Sequence, residues 1–286
     1  MTQTHSIQRS FRCALACALA AACALSVGCS RQDPTEAAQP PASATRVTRE
    51  VATTIYPLQY MAERIAGDAV PVRAAADDGS GIVDPETVAQ LQQSQLVVIN
   101  GLNVETWLRS ASLPRSRLVR TTRGLPNLIV TGSVTHSHGT EGEHSHDVYN
   151  GHVWLDPIYA RMQAERISDA MNEAFPEHAA AFAANYDGLA ADFDTIHERL
   201  SNLDMSRLRV TTDHPAHDYL ARRYGWPTEP SDAPEIIIST AEGNGVWLPA
   251  MQTGPASEDF ISDLDTAIAQ LEQAILAARA QLSGAE

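Results

Sequence analysis

The amino-acid sequence predicts an α/β fold in two lobes, each a mainly parallel sheet with flanking helices, joined by one long α-helix. Two observations support this prediction. Short β-branched runs alternate along the chain with amphipathic helical patterns, and this order is typical of parallel sheets covered by helices. A helical pattern at 178–203 separates one such set from another, and a helix of that length can run through most of a small two-lobed protein.

The first lobe is predicted at 47–176 from its strands and helix ends. Pro57 begins a helix that Gly67 ends, because proline suits the first helical turn and glycine suits the residue just past the last one. A second helix is predicted at 85–93. The β-branched runs predict strands at 51–55, 96–100, 117–121 and 128–131.

A capped helix and a long bridging helix lead into the second lobe. Asp156 is followed by Pro157, and this pair is typical of an N-cap and the first residue of a helix. The bridging helix is predicted at 177–203, and the second lobe at 204–286, where two further strand and helix patterns precede a closing helix. This lobe is short for a domain of its own.

Residues 1–29 read as a secretory signal and not as part of the fold. Arg9 and Arg12 precede an apolar stretch of small residues that is too short for a membrane span. The stretch resembles a bacterial lipoprotein signal, so we expect Cys29 to be lipidated and to anchor the chain outside the cytoplasm; ordinary cleavage nearby is the alternative. Residues 30–46 are rich in Pro, Ala, Ser and Gln and predict a flexible linker.

Composition excludes several classes of function. The chain has 20 basic residues, all arginine, against 35 acidic ones, for a formal net charge of −15, so nucleic acid is a poor partner. All four cysteines precede residue 30. Disulfides, cysteine-based zinc sites and thiol catalysis are therefore excluded from the body of the protein.

A histidine-rich loop is predicted at 135–150. It contains two His-x-His pairs, separated by Gly-Thr-Glu-Gly-Glu: His136, His138, His144 and His146. Imidazole and carboxylate are ligands for zinc and similar ions, so we predict auxiliary metal capture by a flexible tract. The alternative is a polar insertion without a metal role, because a compositional tract alone is weak evidence.

Two further histidines stand at equivalent positions in the two lobes. His152 leads directly into the capped helix, and His214 ends a β-branched strand and precedes another helix. Ligands of open α/β sheets bind at the carboxyl ends of strands, where His214 stands, and His152 lies on the rigid scaffolding that a tight metal site needs, so both are candidate metal ligands. Asp156 is then a candidate to orient His152 from behind. The alternative for each histidine is a hydrogen-bonding residue of the core or of a helix entry. His217 is a weaker candidate.

The sequence carries no signature of an enzyme. It has no Gly-x-Ser-x-Gly elbow, P-loop, dinucleotide fingerprint or His-Glu-x-x-His motif. We therefore predict that the protein is not an enzyme, and a metallohydrolase is the least favoured alternative because no general base stands beside the two histidines.

The chain resembles the periplasmic zinc/manganese solute-binding proteins of ABC transporters (cluster A-I). The resemblance rests on four segments in order: TTIYPLQYMAERIAGDAVPV, LQQSQLVVINGLNVETWL, GHVWLDP after the histidine-rich loop, and DHPAHDYLARRYGW. It covers roughly residues 50–226. The resemblance implies two α/β lobes bridged by a long helix, a metal held in the cleft by His152 and His214, and a histidine-rich loop that assists zinc capture.

The resemblance also implies a partner and a place. It implies a periplasmic or extracytoplasmic protein, anchored here through Cys29, that delivers its ion to an ABC transporter permease. We expect zinc as the bound ion, since imidazole-rich sets favour zinc over manganese, and we expect a monomer.

This sequence departs from the pattern that it resembles. The segment 77–90, where a first metal histidine is usual, has none, and Trp-Leu-Pro stands at 247–249 in place of a Leu-Asp-Pro segment. Two imidazoles leave an incomplete shell, because zinc sites are generally four-coordinate. A second hypothesis is therefore a degenerate scaffold or interaction protein whose cleft site is weakened or lost.

Overall fold

A computed structural model describes residues 47–75, 83–137, 143–228, 231–257 and 259–284. These residues lie in one compact unit, 45–286. The predictions for the signal at 1–29 with Cys29 and for the linker at 30–46 fall outside the described residues. Within the described ranges, no helix is both long and apolar enough to cross a membrane.

Four parallel strands form the sheet of the first lobe, in the order β2-β1-β3-β4. Their bounds are β1 Thr48–Thr53, β2 Val72–Ala74, β3 Ser94–Ile99 and β4 Leu118–Arg120. Val97, Val98 and Ile99 are all buried, because an inner strand of a parallel sheet is covered on both faces. Three of the predicted strands are confirmed with bounds shifted by a few residues, whereas β2 was not predicted.

Three helices flank this sheet: α1 Tyr56–Ala66, α2 Pro85–Gln93 and α3 Pro157–Ala174. Each has proline in its first turn. Asp84 and Asp156 are the N-caps of α2 and α3, and each carboxylate accepts hydrogen bonds from two backbone N–H groups, which satisfies donors that the helix itself leaves free. The prediction that Asp156 caps a helix is confirmed.

The histidine-rich segment forms a β-hairpin over most of its described length. Strand β5, Val130–Ser137, pairs antiparallel with strand β6, Glu143–Tyr149. The prediction of a flexible loop over 135–150 is therefore wrong for these strands. Alternating Val, Thr and Ser favour an extended backbone here, and closing the ladder satisfies backbone groups that a loop would leave to solvent. Residues 138–142, with His138, lie outside the described residues.

The long helix that was predicted between the lobes is α4, Ala179–Ser201. It contacts α1 and α3 of the first lobe and α6 of the second. Phe182, Leu189 and Phe193 lie on its buried face, at spacings of seven and four residues that place them on one side of a helix. The rings of Phe193 and Phe260 lie 6.4 Å apart, centroid to centroid, so one helix contributes to the core of both lobes.

The second lobe has a sheet of three parallel strands in the order β7-β8-β9. Its elements are β7 Val210–Thr212, α5 Asp218–Arg223, β8 Ile236–Ser239, β9 Val246–Trp247 and α6 Phe260–Gly284. The strands are short, and their inward side chains Val210, Ile236 and Ile238 are fully or almost fully buried. The described fold is thus α/β, with two parallel sheets flanked by helices, as the sequence predicts.

Candidate metal centre

His152 and His214 face each other where the two lobes meet. His152 lies between β6 and α3, and His214 lies between β7 and α5. The centroids of their rings are 5.2 Å apart, and the ring planes are almost perpendicular at 87°. Both residues are half-buried. Because two zinc–nitrogen bonds of about 2 Å meet at one ion, rings at this distance can present one nitrogen each to the same ion.

Asn150 sets the orientation of the His152 ring. Its side-chain Oδ1 lies 3.0 Å from the His152 backbone N and 2.9 Å from Nδ1 of the ring. An amide oxygen only accepts hydrogen bonds, so Nδ1 carries the proton and donates it to Asn150. The lone pair of the neutral ring is then on Nε2, which is the arrangement of a histidine ready to bind a metal.

Trp154 supports the same ring from the side. The centroids of the His152 and Trp154 rings lie 5.1 Å apart, and Trp154 is fully buried. Its Nε1 donates a hydrogen bond of 2.7 Å to the carbonyl oxygen of Ala250 in the second lobe. A buried indole needs such a partner, and here the partner joins the wall of the site to the opposite lobe.

His214 is arranged differently from His152. Its Nδ1 accepts a hydrogen bond of 3.0 Å from the backbone N–H of Ala216, as the cap of the short turn that precedes α5. The proton of the neutral ring is therefore on Nε2. Coordination of an ion by His214 requires that this proton leave Nε2 or that Nδ1 give up its capping bond. His152 needs neither change.

Burial keeps the His152 ring uncharged. Loss of solvent around the ring, and then the nearby His214 and His217, lower the pKa of His152 from its usual 6.5 to about 4. The metal ligand is the neutral imidazole, so His152 is in its binding form well below the usual pKa of histidine.

His217 lies beside the pair, but its ring is hydrogen-bonded to another segment. It is fully buried, and its Nε2 donates a hydrogen bond of 2.7 Å to the carbonyl oxygen of Leu248. Burial lowers its pKa. Its Nδ1 has no hydrogen-bond partner among the described residues. No group of three or more His, Cys, Asp or Glu side chains within the described ranges is arranged to hold a metal, so the pair His152 and His214 has no third candidate ligand there.

Asp156 does not orient His152, contrary to the sequence prediction. Its Oδ1 accepts from the N–H groups of Ile158 and Tyr159, at 3.0 and 3.3 Å, as the cap of α3. The Arg223 Nε lies 2.6 and 2.5 Å from its two oxygens. The carboxylate is thus occupied by a helix end and a guanidinium, and Asn150 holds Nδ1 of His152 instead.

The hairpin brings three of its histidines into register. His136 is paired with His144, and His146 stands two positions further along β6, opposite Val134. Directly opposed residues of an antiparallel ladder have Cα atoms about 4.5–5.5 Å apart. The auxiliary positions 136 and 144 are therefore neighbours, whereas the sequence alone left their distance open.

The segments that depart from the family pattern add no ligand among the described residues. Residues 76–82, in front of α2, lie outside them. Asp84 accepts from the backbone N–H of Glu86 and Thr87 and from the Thr87 hydroxyl, so its carboxylate is already used. In the second lobe, Leu248 is buried and its carbonyl oxygen binds His217. Among the described residues, no carboxylate of either segment joins the two histidines in a group that could hold a metal.

Sequence reasoning missed Asn150. The residue is buried, and it is the start of the Asn-Gly-His triplet that leads into the helix cap. The signal that was available is a polar residue two positions before a candidate ligand histidine, at the distance from which a side chain can bond back to the following backbone.

The match to a family model gives the class of this protein, a solute-binding protein rather than an enzyme. The chain belongs to the family of the periplasmic component A of the zinc-uptake complex, ZnuA, whose model matches residues 51–242. This confirms the family that the four sequence segments indicate.

Individual relatives are distant. The chain is 29% identical over 185 residues to the iron-binding protein YfeA of Yersinia pestis, in a match covering 62% of this chain and 57% of that protein. It is 28% identical over 196 residues to the zinc-binding lipoprotein AdcA of Streptococcus pneumoniae, covering 61% and 37%. The chain thus spans little more than half of the first of these curated relatives and about a third of the second.

A solved structure has the same fold. The zinc-bound ZnuA-like domain of Streptococcus pneumoniae AdcA superposes with a TM-score of 0.63 at 18% sequence identity, over 80% of this chain and 99% of that domain. At this identity the similarity establishes the fold, and it confirms the two-lobed α/β architecture.

Proposed function

We propose that this protein is the extracytoplasmic metal-binding component of an ABC importer, that it captures a zinc ion between its lobes, and that it delivers the ion to a membrane permease. The observation that carries the proposal is the pair His152 and His214, with ring centroids 5.2 Å apart across the junction of the lobes. In the described part of the chain, this is the one contact between imidazole rings from the two lobes.

The chemistry of the pair favours zinc. Neutral imidazole is a good ligand for zinc, whereas manganese and magnesium prefer oxygen. One relative is named as iron-binding and another as zinc-binding, so the family name alone does not select the ion. Two nitrogen ligands leave room for water or for a residue outside the described ranges, and a weaker, more exchangeable site follows from the smaller number of protein ligands.

The hairpin and the anchor complete the proposal. His136, His138, His144 and His146 act as auxiliary capture groups that raise the local concentration of zinc near the cleft. Cys29 carries the lipid that keeps the protein at the outer face of the cytoplasmic membrane, next to the permease. Both roles derive from the sequence and from the family.

The test is a zinc titration of the metal-free protein, read by competition with a chromophoric chelator and by the melting temperature. Zinc at about 100 times the dissociation constant should stabilise the protein by roughly 2.7 kcal/mol. His152→Ala and His214→Ala should each abolish this stabilisation. His178→Ala is the control, because His178 follows α3 and lies outside the cleft.

The scaffold hypothesis makes the opposite prediction. It is favoured by the absence of a third ligand among the described residues. If zinc leaves the melting temperature of the wild type unchanged, or if His152→Ala and His214→Ala bind like the wild type, the cleft is not the metal site. Parallel titrations with manganese and iron(II) decide the choice of ion, with zinc expected to give the largest shift.

A further inference from the structure

The side chain of Asn150 contacts both lobes, and one of its contacts is the candidate ligand His152. Its Oδ1 accepts both bonds from His152, and its Nδ2 donates to the carbonyl oxygen of Pro215 at 2.7 Å and to Oδ2 of Asp218 at 3.1 Å. Pro215 directly follows His214 in the sequence. The buried amide of Asn150 therefore contacts His152 directly, and it also contacts the segment that carries His214.

Every polar atom of Asn150 has a partner. Its backbone N–H donates to the carbonyl oxygen of Ile129 at 2.8 Å, and its backbone oxygen accepts from the Tyr219 hydroxyl at 2.8 Å. The side chain uses both of its N–H groups and both lone pairs of its oxygen, which is the full capacity of an amide. A buried network in which all members are satisfied holds its groups in one arrangement.

We propose that Asn150 is the positioning residue of the metal pair: its oxygen selects the tautomer of His152 that presents Nε2 to the ion, and its nitrogen holds the segment of His214 in place. This inference rests on the proposed function, since it takes His152 and His214 as the ligands. Its consequence is that the geometry of the site and the docking of the lobes depend on the same side chain. A movement that separates the second lobe from Asn150 also loosens the support of His152.

The chemistry requires an amide at this position. Aspartate at 150 would still accept from His152, but it would place a carboxylate oxygen against the Pro215 carbonyl and the Asp218 carboxylate, where like charges repel. Alanine would remove both functions. The two halves of the proposal can therefore be separated by substitution.

The first experiment reads the tautomer without any metal. Protein labelled with ¹⁵N in histidine, in chelator, should show His152 with its proton on Nδ1 in the wild type and in Asn150→Asp. In Asn150→Ala the proton should redistribute between the two nitrogens. Asn185→Ala is the matched control, because the Asn185 Nδ2 also donates to a backbone carbonyl, that of Ile65, away from the site. An unchanged tautomer in Asn150→Ala overturns the proposal.

The second experiment reads the lobe contact by hydrogen exchange of residues 215–223. Exchange should be faster in Asn150→Ala and in Asn150→Asp, and the double variant Asn150→Asp with Asp218→Asn should recover part of the protection, since an amide again faces a carboxylate. If the double variant exchanges as fast as Asn150→Asp alone, the side chain at position 150 does not hold this segment through Asp218. That result overturns the part of the proposal that concerns the segment of His214.

The third experiment measures the zinc affinity of the same variants. Asn150→Ala should lose about 10- to 100-fold in zinc affinity, the usual loss for a residue that orients a metal ligand, whereas Asn185→Ala should bind like the wild type. Equal affinities for these two variants overturn the proposal. If the wild type itself binds no zinc while the tautomer and the exchange change as stated, the proposed function fails and the positioning by Asn150 stands.

Discussion

The rings of His152 and His214 meet edge to face at 5.2 Å, although they belong to segments that follow different sheets. His152 has its proton held on Nδ1 by Asn150, and His214 has its Nδ1 occupied by the N–H of Ala216. The pair is thus unequal before any ion arrives: one ring offers a free Nε2, and the other must rearrange. This inequality suits the proposed function, in which the protein must both bind an ion and release it.

Gly151 should be essential for the position of His152. A Cβ at this residue would lie 2.4 Å from Cγ2 of Val104 and 3.7 Å from the carbonyl oxygen of Leu102, so the chain next to His152 would have to move. We expect Gly151→Ala to lower zinc affinity about tenfold, in the range seen when the support of a ligand is disturbed. Competition with a chromophoric chelator measures the change.

A second substitution checks that reason. Val104→Ala removes the methyl group that a new Cβ would meet, so the double variant Val104→Ala with Gly151→Ala should recover most of the affinity. If the double variant binds as weakly as Gly151→Ala alone, the glycine is needed for another reason and the steric account is wrong.

The ion pair between Asp156 and Arg223 should contribute strongly to the free energy of unfolding. The Asp156 side chain is 1% exposed and that of Arg223 26%, and burial raises the pKa of Asp156 in spite of the guanidinium beside it. Arg223→Ala would leave a buried carboxylate without its counter-charge, at a cost of about 3–5 kcal/mol. Urea denaturation measures it.

An exposed pair provides the comparison. Arg199 binds Asp265 at 2.7 Å with side-chain exposures of 31% and 50%, so Arg199→Ala should cost no more than about 1 kcal/mol. If Arg223→Ala and Arg199→Ala lower the free energy of unfolding by similar amounts, the buried pair is no more stabilising than the exposed one and the prediction is wrong.

The contribution of His152 to the stability of the metal-free protein should fall as the pH drops from about 6.5 to about 4. In the folded protein the pKa of His152 is lowered to about 4, whereas in the unfolded chain it is near 6.5. Between these values the unfolded chain binds more protons, so the free energy of unfolding rises with pH.

His152→Gln isolates this contribution from that of the other titrating groups. The difference in unfolding free energy between wild type and His152→Gln, measured in chelator at several pH values, should increase in favour of the wild type from pH 4 to pH 6.5 and then level off. A difference that does not vary over this window would show that the ring titrates normally.

The hairpin histidines should affect how fast zinc is captured, and they should not affect how tightly the cleft binds it. Replacing His136, His138, His144 and His146 by Asn should remove weakly bound zinc ions and slow the uptake of zinc at limiting concentrations, because imidazoles without a complete set of four ligands bind zinc weakly. Calorimetry gives the number of ions, and stopped-flow mixing gives the rate. If the quadruple variant loses as much zinc affinity in the cleft as His152→Ala does, the hairpin histidines are not merely auxiliary.

Local patterns in the sequence were sufficient for most of the elements. Proline after Asp84 and Asp156 marked the starts of α2 and α3, and the spacing of Phe182, Leu189 and Phe193 marked the buried face of α4. These features depend on neighbours within a few residues, which is the range over which sequence periodicity and capping act. The three-residue strand β2 was not predicted, although the equally short β4 was.

Pairing between strands could not be read from the sequence. The segment 135–150 was predicted as a flexible loop because glycines and polar residues dominate it, yet β5 and β6 pair along it from Val130 to Tyr149. Register is set by contacts between strands, and a polar strand with few apolar residues specifies it only weakly in its own sequence.

By itself the sequence determined the α/β class and the family, and it predicted the pair His152 and His214, since each of these is written in short motifs. The tertiary structure decided that Asn150, and not Asp156, holds His152, and that the same amide reaches Pro215 and Asp218. The physical reason is one of distance. A hydrogen bond joins atoms about 3 Å apart wherever they lie in the chain, so partners from different lobes become visible only once the lobes are packed together.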